Sequence, residues 1–146
     1  MPKNKTIREV MTANPRTVTD KDKVIDAARI MRDQDTGVVP VVNGKKIIGM
    51  VTDRDIVVRA VADGKNLSDV SVNDVMTRKV QTVKEDTPVS EVMNLMSREQ
   101  IRRVPVVNAS DELVGIVSIG DLATHTNQDG KVGQTVENIS EAPPNR

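Results

Sequence analysis

A chain of 146 residues is near the usual size of one domain, and its 21 basic and 21 acidic side chains give a formal net charge of zero. This balance gives no electrostatic reason to expect nucleic acid or an anionic membrane as a partner. The chain contains no cysteine and no Phe, Tyr or Trp, which excludes disulfides, thiolate catalysis and the stacking of bases on these aromatic side chains.

The hydropathy pattern contains no candidate for a membrane segment. No apolar run approaches the roughly 18 residues that a spanning helix needs, and no signal-peptide core follows the first residues of the chain. We therefore expect a soluble, cytoplasmic protein that has neither a membrane nor nucleic acid as a partner.

The chain contains one sequence unit twice. The copies keep a constant spacing until a single-residue insertion near Ala109, and such self-similarity indicates internal duplication. Copies of about 50–60 residues are too small to fold as independent globules, so we expect them to share a core. The matching segments are Val10–Thr12 with Val75–Thr77, Val39–Val42 with Val104–Val107, and Gly49–Asp55 with Gly115–Asp121.

Each copy is predicted to open with a short helical turn, followed by an extended segment and a helix. Thr6–Glu9 and Ser71–Asp74 have the capping-box pattern that begins such a turn. Residues 16–18 are predicted to be extended after Asn14-Pro15, and Asp20 or Asp22 can cap the helix that follows. Its apolar residues recur at helical spacing on one face, and the second copy repeats them: Val24, Ala27, Ala28 and Met31, then Val89, Val92, Met93 and Met96.

A β-hairpin is predicted after the helix in each copy. β-Branched runs flank Asn43-Gly44, a dipeptide typical of tight turns because both residues tolerate positive φ. The second copy has Asn108–Asp111 at this place. Pro40 lies inside the first strand and removes a hydrogen-bond donor, so that strand is expected to be an edge strand or to begin just after the proline. The same expectation holds for Pro105.

A second helix completes each copy. Thr52 is predicted to cap a helix over 53–62, and Ser118 caps its counterpart. Each repeat then has the order β-α-β-β-α, so the expected fold is α+β, with two repeats packed sheet to sheet about a pseudo-two-fold axis that leaves two related clefts. The predicted boundaries are repeat 1 at 6–62, a linker at 63–70, repeat 2 at 71–124, and a polar, flexible tail at 125–146.

These motifs, repeated in this order, resemble a tandem pair of cystathionine-β-synthase (CBS) domains, also called a Bateman module. The resemblance covers about residues 6–124 and rests on the two V-M-T openings, the two V-P-V-V strands and the segments that begin at Gly49 and Gly115. It implies a module that binds AMP, ADP, ATP, NAD or S-adenosylmethionine as a regulatory ligand, without a required cofactor. It also implies a dimer of modules that signals to a protein partner.

The resemblance further implies which residues contact the ligand. Asp55 and Asp121 would accept hydrogen bonds from the ribose hydroxyls, beside Thr52 and Ser118 at two helix starts. The alternative is a capping box alone, in which each carboxylate accepts only from the amide of its own cap. The adenine slots would be lined by residues whose alternative role is plain core strand: Thr17, Val18, Val39 and Pro40 in one, and Thr82, Val83, Val104 and Pro105 in the other.

The two clefts are expected to differ in phosphate binding. Arg102 and Arg103 precede the strand of the second copy, where guanidinium groups can hold a phosphate, whereas the corresponding Gly37-Val38 is uncharged. The alternative is a solvated basic pair. The cleft near Arg103 should prefer phosphorylated ligands, while the other should be weaker, bind an uncharged nucleoside, or use Arg54 or Arg16 instead.

The sequence lacks the components of a catalytic site. His125 is the only histidine and lies where the repeat pattern ends, so neither a Ser-His-Asp triad nor a multi-histidine metal site is expected, and no glycine-rich phosphate loop is present. We expect a regulatory binding protein rather than an enzyme. The alternative is a structural or protein-interaction module that binds no nucleotide. The apolar helix stripes also suggest a homodimer, because a single module would leave part of them uncovered.

Overall fold

The structure, a computed structural model, describes residues 5–125 and 139. It confirms the predicted α+β class. Within the described residues, the strands and α-helices are, in chain order, β1 Thr12–Ala13, α1 Val24–Gln34, β2 Val38–Asn43, β3 Lys46–Thr52, α2 Asp53–Ile56, β4 Val83–Lys84, α3 Val89–Glu99, β5 Arg103–Val107, β6 Leu113–Ser118 and α4 Ile119–His125. Single 3-10 turns cover Ile7–Glu9 and Val72–Asp74, as the two capping-box patterns predict.

The chain divides into two compact units that do not coincide with the sequence repeats. One unit comprises Pro15–Val80, and the other combines the residues up to Asn14 with those from Gln81 onward. We call them the Asp55 unit and the Asp121 unit. Each therefore contains the body of one repeat and the opening segment of the other, where the opening segments are residues 6–12 and 71–77.

The Asp121 unit contains a four-stranded sheet in the order β1-β6-β5-β4. β1, which continues from the opening segment 6–12, pairs antiparallel with β6 through Thr12 opposite Ile116. At the other edge β4 runs parallel to β5, with Val83 opposite Val106. The hairpin of repeat 2 thus lies between the opening segment of repeat 1 and the short strand of its own repeat.

The Asp55 unit repeats this order around the β2-β3 hairpin. Val18 forms a parallel bridge with Val41 on one side, and Thr77 forms an antiparallel bridge with Met50 on the other. The Met50 amide donates to the Thr77 carbonyl at 2.9 Å, and the Thr77 amide donates to the Met50 carbonyl at 2.8 Å. The predicted extended segment at 16–18 therefore supplies a one-residue equivalent of β4.

The predicted hairpins are confirmed. β2 and β3 pair up to Asn43 opposite Lys46, and Gly44 takes a φ of +64°, which an L side chain rarely adopts. In the second hairpin the Asn108 side chain shapes the turn, because its Oδ1 accepts from the amides of Ser110 at 2.9 Å and Glu112 at 3.0 Å. Asp111 in that turn has a φ of +62°.

Neither proline begins its strand, so a strand start just after the proline is wrong for both. The edge-strand alternative is confirmed for Pro40, because β2 and β3 form a two-stranded sheet, and is wrong for Pro105. β2 runs through Pro40, and β5, which contains Pro105, is an interior strand. The Pro40 carbonyl accepts from the Val18 amide at 3.1 Å, which means that the proline nitrogen also faces the Val18 side of the strand. The bridge on that side begins only at Val18, so no hydrogen bond there is lost to the missing N–H.

The first helices bury the predicted apolar faces, but α1 is not capped as predicted. Its N-cap is Lys23, not Asp20 or Asp22, and the cap makes no side-chain hydrogen bond. The Val24 amide donates instead to the Val70 carbonyl at 2.8 Å, while Asp22 Oδ2 accepts from the Thr19 amide at 2.8 Å. Each unit has its own core, to which α1 contributes Val24, Ala27, Ile30 and Met31, and α3 contributes Val89, Val92, Met93, Leu95 and Met96.

The helix predicted over 53–62 is present in two parts. α2 continues directly into a π-helical turn at Val57–Val61. This turn presents the exposed large apolar side chains of the described residues, since Val57, Val58 and Val61 have exposed fractions of 56%, 49% and 51%. Uncovered apolar surface was expected on the stripes of α1 and α3. That expectation is wrong, because those stripes lie in the cores.

Most of the predicted tail, 125–146, lies outside the described residues. Ile139 is described and is buried in the core of the Asp121 unit. In the predicted linker, Leu67 and Val70 pack in the core of the Asp55 unit. Among the residues that the structure describes, no helix has the length and apolar character to cross a membrane.

Glycine at position 49 allows the opening segment 71–77 to approach β3, which makes Gly49→Ala a test of this pairing. An added Cβ would lie 2.5 Å from the Thr77 carbonyl oxygen, a backbone atom that cannot move without breaking the bridge. We expect a loss of about 1–3 kcal/mol of unfolding free energy, measured by urea unfolding with circular dichroism, since the chain has no Trp or Tyr for fluorescence.

Gly120→Ala is the matched control for this prediction. An added Cβ at Gly120 meets only Ser118 Oγ, at an ordinary 3.6 Å, and alanine has the higher helix propensity. Stability should therefore stay constant or rise slightly. Equal stability of Gly49→Ala and the wild-type protein would contradict the close approach of the opening segment.

Candidate functional site

Both candidate carboxylates close a capping box at a helix start. The Asp55 amide donates to Thr52 Oγ1 at 3.0 Å, and the Thr52 amide donates to Asp55 Oδ2 at 3.0 Å. The Ser118 amide donates in the same way to Asp121 Oδ2 at 2.9 Å, and the Asp121 amide to Ser118 Oγ at 3.1 Å. The capping geometry considered from the sequence is therefore present in both units.

The capping box uses only one oxygen of each carboxylate. A carboxylate has two oxygens and about four lone-pair sites. Asp55 Oδ1 has one long contact, from Thr77 Oγ1 at 3.5 Å, and Asp121 Oδ1 accepts no hydrogen bond from the residues that the structure describes. Capping and ligand binding are thus compatible, because each half-buried carboxylate keeps acceptor sites after it has capped its helix.

The strand register places the predicted strand residues on two different faces. Val38 lies opposite Thr52, and Arg103 lies opposite Ser118. Directly opposite residues project from the same face of a sheet, and so do residues two positions along a strand. Pro40 and Pro105 therefore share the face of the capping hydroxyls.

Val39 and Val104 project from the other face. Both side chains are fully buried in the cores of their units. Val18 is also buried in a core, and Val83 packs partly against one. For the buried Val18, Val39 and Val104 only the backbone remains for contact with a ligand, which agrees with the alternative role as core strand residues, whereas the Val83 side chain is partly exposed.

The threonines before the parallel segments differ in exposure. Thr17 is half-buried and precedes Val18, whose amide donates to the Pro40 carbonyl at 3.1 Å. Thr82 is exposed and precedes β4. The structure thus brings Thr17 and Val18 alongside Pro40 in the Asp55 unit, and Thr82 and Val83 alongside β5 in the Asp121 unit.

The basic pair lies at the strand end next to Ser118. The Arg102 carbonyl accepts from the Ile119 amide at 2.9 Å, as the Gly37 carbonyl accepts from the Asp53 amide at 2.9 Å. The two units therefore use the same backbone geometry with different side chains. The Arg103 side chain is half-buried, and neither guanidinium has a hydrogen-bond or salt-bridge partner within the described part of the chain. At the position of Arg103 the Asp55 unit has the buried Val38.

Thr77 is not among the site residues predicted from the sequence. Its hydroxyl is the group nearest the second oxygen of Asp55, although Thr77 belongs to the opening segment of the other repeat. The repeated V-M-T motif marked this threonine as a feature of the duplication. Nothing in the sequence indicates that the motif packs against the body of the other repeat.

A scan against protein-family models matches the CBS domain at residues 7–61 and again at residues 72–126. Among curated proteins, the uncharacterized protein YlbB of Bacillus subtilis strain 168 is 40% identical over 137 residues, a region that covers 92% of this chain and 91% of that protein.

Two solved structures of similar fold contain adenosine compounds. The crystal structure of CBSX2 in complex with AMP has a TM-score of 0.73 and 25% identity, and covers 86% of this chain and 98% of that chain. The CBS domain pair of protein MJ0100, in complex with 5′-methylthioadenosine and S-adenosyl-L-methionine, has a TM-score of 0.73 and 30% identity, with coverage of 82% and 98%. With two matched domains that together span most of the sequence, this chain belongs to the CBS-domain family and carries two CBS domains in tandem.

Proposed function

We propose that the protein binds adenosine-containing ligands, AMP among them, at Asp55 and Asp121, and that ligand occupancy regulates a partner protein. The observation that carries this proposal is the remaining acceptor oxygen of each capping carboxylate, placed equivalently in the two units. The similar structures that contain AMP, 5′-methylthioadenosine and S-adenosylmethionine support the choice of ligand class.

The carboxylates suit the ribose part of such a ligand. The 2′ and 3′ hydroxyls of ribose are vicinal donors, and a carboxylate with acceptor sites left on its two oxygens can accept from both. Hydrogen bonds to a charged acceptor are about twice as strong as those between neutral groups. The fixed geometry of the capping box holds the acceptor in place before the ligand arrives, which lowers the entropic cost of binding.

The adenine ring is assigned to the face that carries the capping hydroxyls. Pro40 in one unit and Pro105 in the other lie on that face, beside the residues Thr17-Val18 and Thr82-Val83, but both proline side chains are buried and offer little surface to a ligand. With no Phe, Tyr or Trp in the chain, backbone hydrogen bonds at the ring edge supply most of the recognition.

The phosphate preference belongs to the Asp121 site. Arg103 lies opposite Ser118 and has no partner among the described residues, so its guanidinium is available to an anion. The buried Val38 offers no such group in the Asp55 unit. We assign phosphorylated ligands to the Asp121 site and uncharged or weakly bound adenosine compounds to the Asp55 site. This is a regulatory binding role without catalysis and without a required cofactor.

A second copy of the chain is the partner that we assign to the exposed valine turn, defined as Val57, Val58 and Val61. Three neighbouring valines, each about half exposed, form an apolar surface on one helical turn. A self-complementary contact through this turn gives a closed homodimer.

Asparagine variants separate ligand binding from helix capping. In Asp121→Asn the amide oxygen can still accept from the Ser118 amide, but the NH₂ group cannot accept from a ribose hydroxyl. Calorimetric titration with AMP should lose the Asp121 binding event and keep the Asp55 event, and Asp55→Asn should do the reverse. Melting temperatures, which report the caps, should change little in either variant.

Two results of these titrations would contradict the proposal. If both asparagine variants bind AMP like the wild-type protein, the carboxylates serve only as caps. If the wild-type protein binds none of AMP, ATP, NAD and S-adenosylmethionine, the protein is a structural or protein-interaction module instead.

Replacing Arg103 by glutamine tests the phosphate assignment. The variant should bind AMP at the Asp121 site roughly tenfold or more weakly, because a hydrogen bond between charged groups is lost, and its affinity for adenosine should stay the same. Arg102→Gln, at the exposed neighbouring residue, is the matched control and should leave the affinities for AMP and adenosine unchanged if Arg103 alone holds the phosphate. Equal losses for AMP and adenosine would mean that Arg103 does not contact the phosphate.

We predict that the exposed valine turn mediates dimerisation and that a charged side chain introduced there prevents it. Sedimentation of the wild-type protein at micromolar concentration should give a species of twice the 16.0 kDa chain mass, and Val61→Glu should give monomer. Ala123→Glu, an exposed position on α4, should leave the dimer intact. A monomeric wild-type protein would remove this part of the proposal.

A further inference from the structure

The end of the opening segment, residues 75–77, makes three polar contacts with the rest of the Asp55 unit. Its start is held separately, by hydrogen bonds from the Val72 amide to the Asp22 carbonyl at 2.8 Å and from the Asn73 amide to the Asp20 carbonyl at 2.9 Å. The Met50 and Thr77 backbones exchange hydrogen bonds at 2.8 and 2.9 Å. Arg59 Nη1 donates to the carbonyls of Val75 at 3.0 Å and Met76 at 3.2 Å. Thr77 Oγ1 approaches Asp55 Oδ1 at 3.5 Å. The end of this segment therefore contacts the β3 backbone, the Asp55 carboxylate and the Arg59 side chain, which we call the anchor.

One helical stretch carries both the ligand carboxylate and the anchor. Asp55 and Arg59 are four residues apart on the continuous α2 and π-helical turn, so a shift of this stretch moves both groups together. The opening segment contacts each of them. An event at Asp55 is thereby connected to the attachment of the segment through short, direct contacts.

The hydroxyl of Thr77 also constrains the orientation of the Asp55 carboxylate. Oδ2 is held by the Thr52 amide at 3.0 Å, and Oδ1 faces the Thr77 hydroxyl. With a hydrogen bond on Oδ2 and this longer contact on Oδ1, the orientation of the carboxylate plane is restricted, and each oxygen keeps a lone pair for a vicinal diol.

We infer that Thr77 is a positioning residue for the Asp55 site and that occupancy of this site is coupled to the attachment of the opening segment 71–77. The ligand in this inference is that of the proposed function, on which it rests. Coupling of this kind is reciprocal: if the attached segment favours binding, the bound ligand favours attachment by the same factor. The chain leaves the Asp55 unit directly after this segment, at Val80.

The Asp121 unit provides an internal comparison. Thr12 occupies the position of Thr77, opposite Ile116 in the bridge with β6. Within the described residues its hydroxyl makes no hydrogen bond to Asp121. The coupling through a threonine hydroxyl is therefore assigned to the Asp55 site alone.

Titration of the full chain with AMP tests the positioning role. Thr77→Val replaces an exposed hydroxyl by a methyl group of similar size and should weaken the Asp55 binding event about three- to tenfold, while Thr77→Ser should restore it. Arg59→Met, which removes the anchor without removing any group of the carboxylate site, should weaken the same event. Thr12→Val should leave it unchanged.

Hydrogen exchange without ligand tests the coupling independently of the proposed function. Thr77→Val and Asp55→Ala should each speed exchange of the Met50 and Thr77 amides, and the double variant should show less than the sum of the two increases, because both changes remove the same contact between Thr77 Oγ1 and Asp55 Oδ1. Additive increases, or none, would overturn the coupling. In the wild-type protein, AMP should slow exchange of the same two amides.

The two failures can be told apart. Loss of the Asp55 binding event in Asp55→Asn but not in Thr77→Val or Arg59→Met overturns the inference and leaves the proposed function standing. If the wild-type protein binds none of AMP, ATP, NAD and S-adenosylmethionine, the proposed function is overturned, and the ligand-free exchange experiment then still decides whether Asp55 and the opening segment are coupled.

Discussion

The structure depends on a short antiparallel pairing between each opening segment and the outer edge of a hairpin. Thr77 pairs with Met50 in one unit and Thr12 with Ile116 in the other, and a glycine beside each contact lets the two backbones approach. This pairing covers a strand edge that would otherwise expose unpaired amide and carbonyl groups. It also completes the residues around Asp55, since it brings the Thr77 hydroxyl to the carboxylate.

In the proposed function, each helix start combines a structural and a functional demand in a single side chain. An aspartate at the third helical position stabilises the helix through one oxygen and leaves the other available. A side chain held this way loses little further freedom when a ligand binds, so stability and recognition reinforce each other. The units then diverge by one residue on the opposite strand, where Arg103 in one corresponds to Val38 in the other.

Local patterns in the sequence were sufficient for the hairpins, the main helices and the capping boxes at Thr52 and Ser118, because these features are encoded by residues close together in the chain. The capping box predicted at Ser71 does not form, since its hydroxyl bonds the Asp74 side chain instead. Non-local contacts were not predictable in this way. The predicted cap of α1 is wrong because the first amide of the helix donates to the distant Val70 carbonyl rather than to Asp20 or Asp22. The position of Pro40 depends on where a neighbouring segment begins, and Thr77 entered the site only through an exchange of segments between repeats.

The exchange of opening segments constrains how such a fold can arise. A polypeptide with a single repeat would leave the outer edge of its hairpin bare unless another molecule donated the missing piece, as in a swapped assembly. Fusing two such repeats into one polypeptide would link each opening segment covalently to the hairpin with which it pairs, and so raise their effective concentration. The tandem form then no longer depends on protein concentration to complete its sheets.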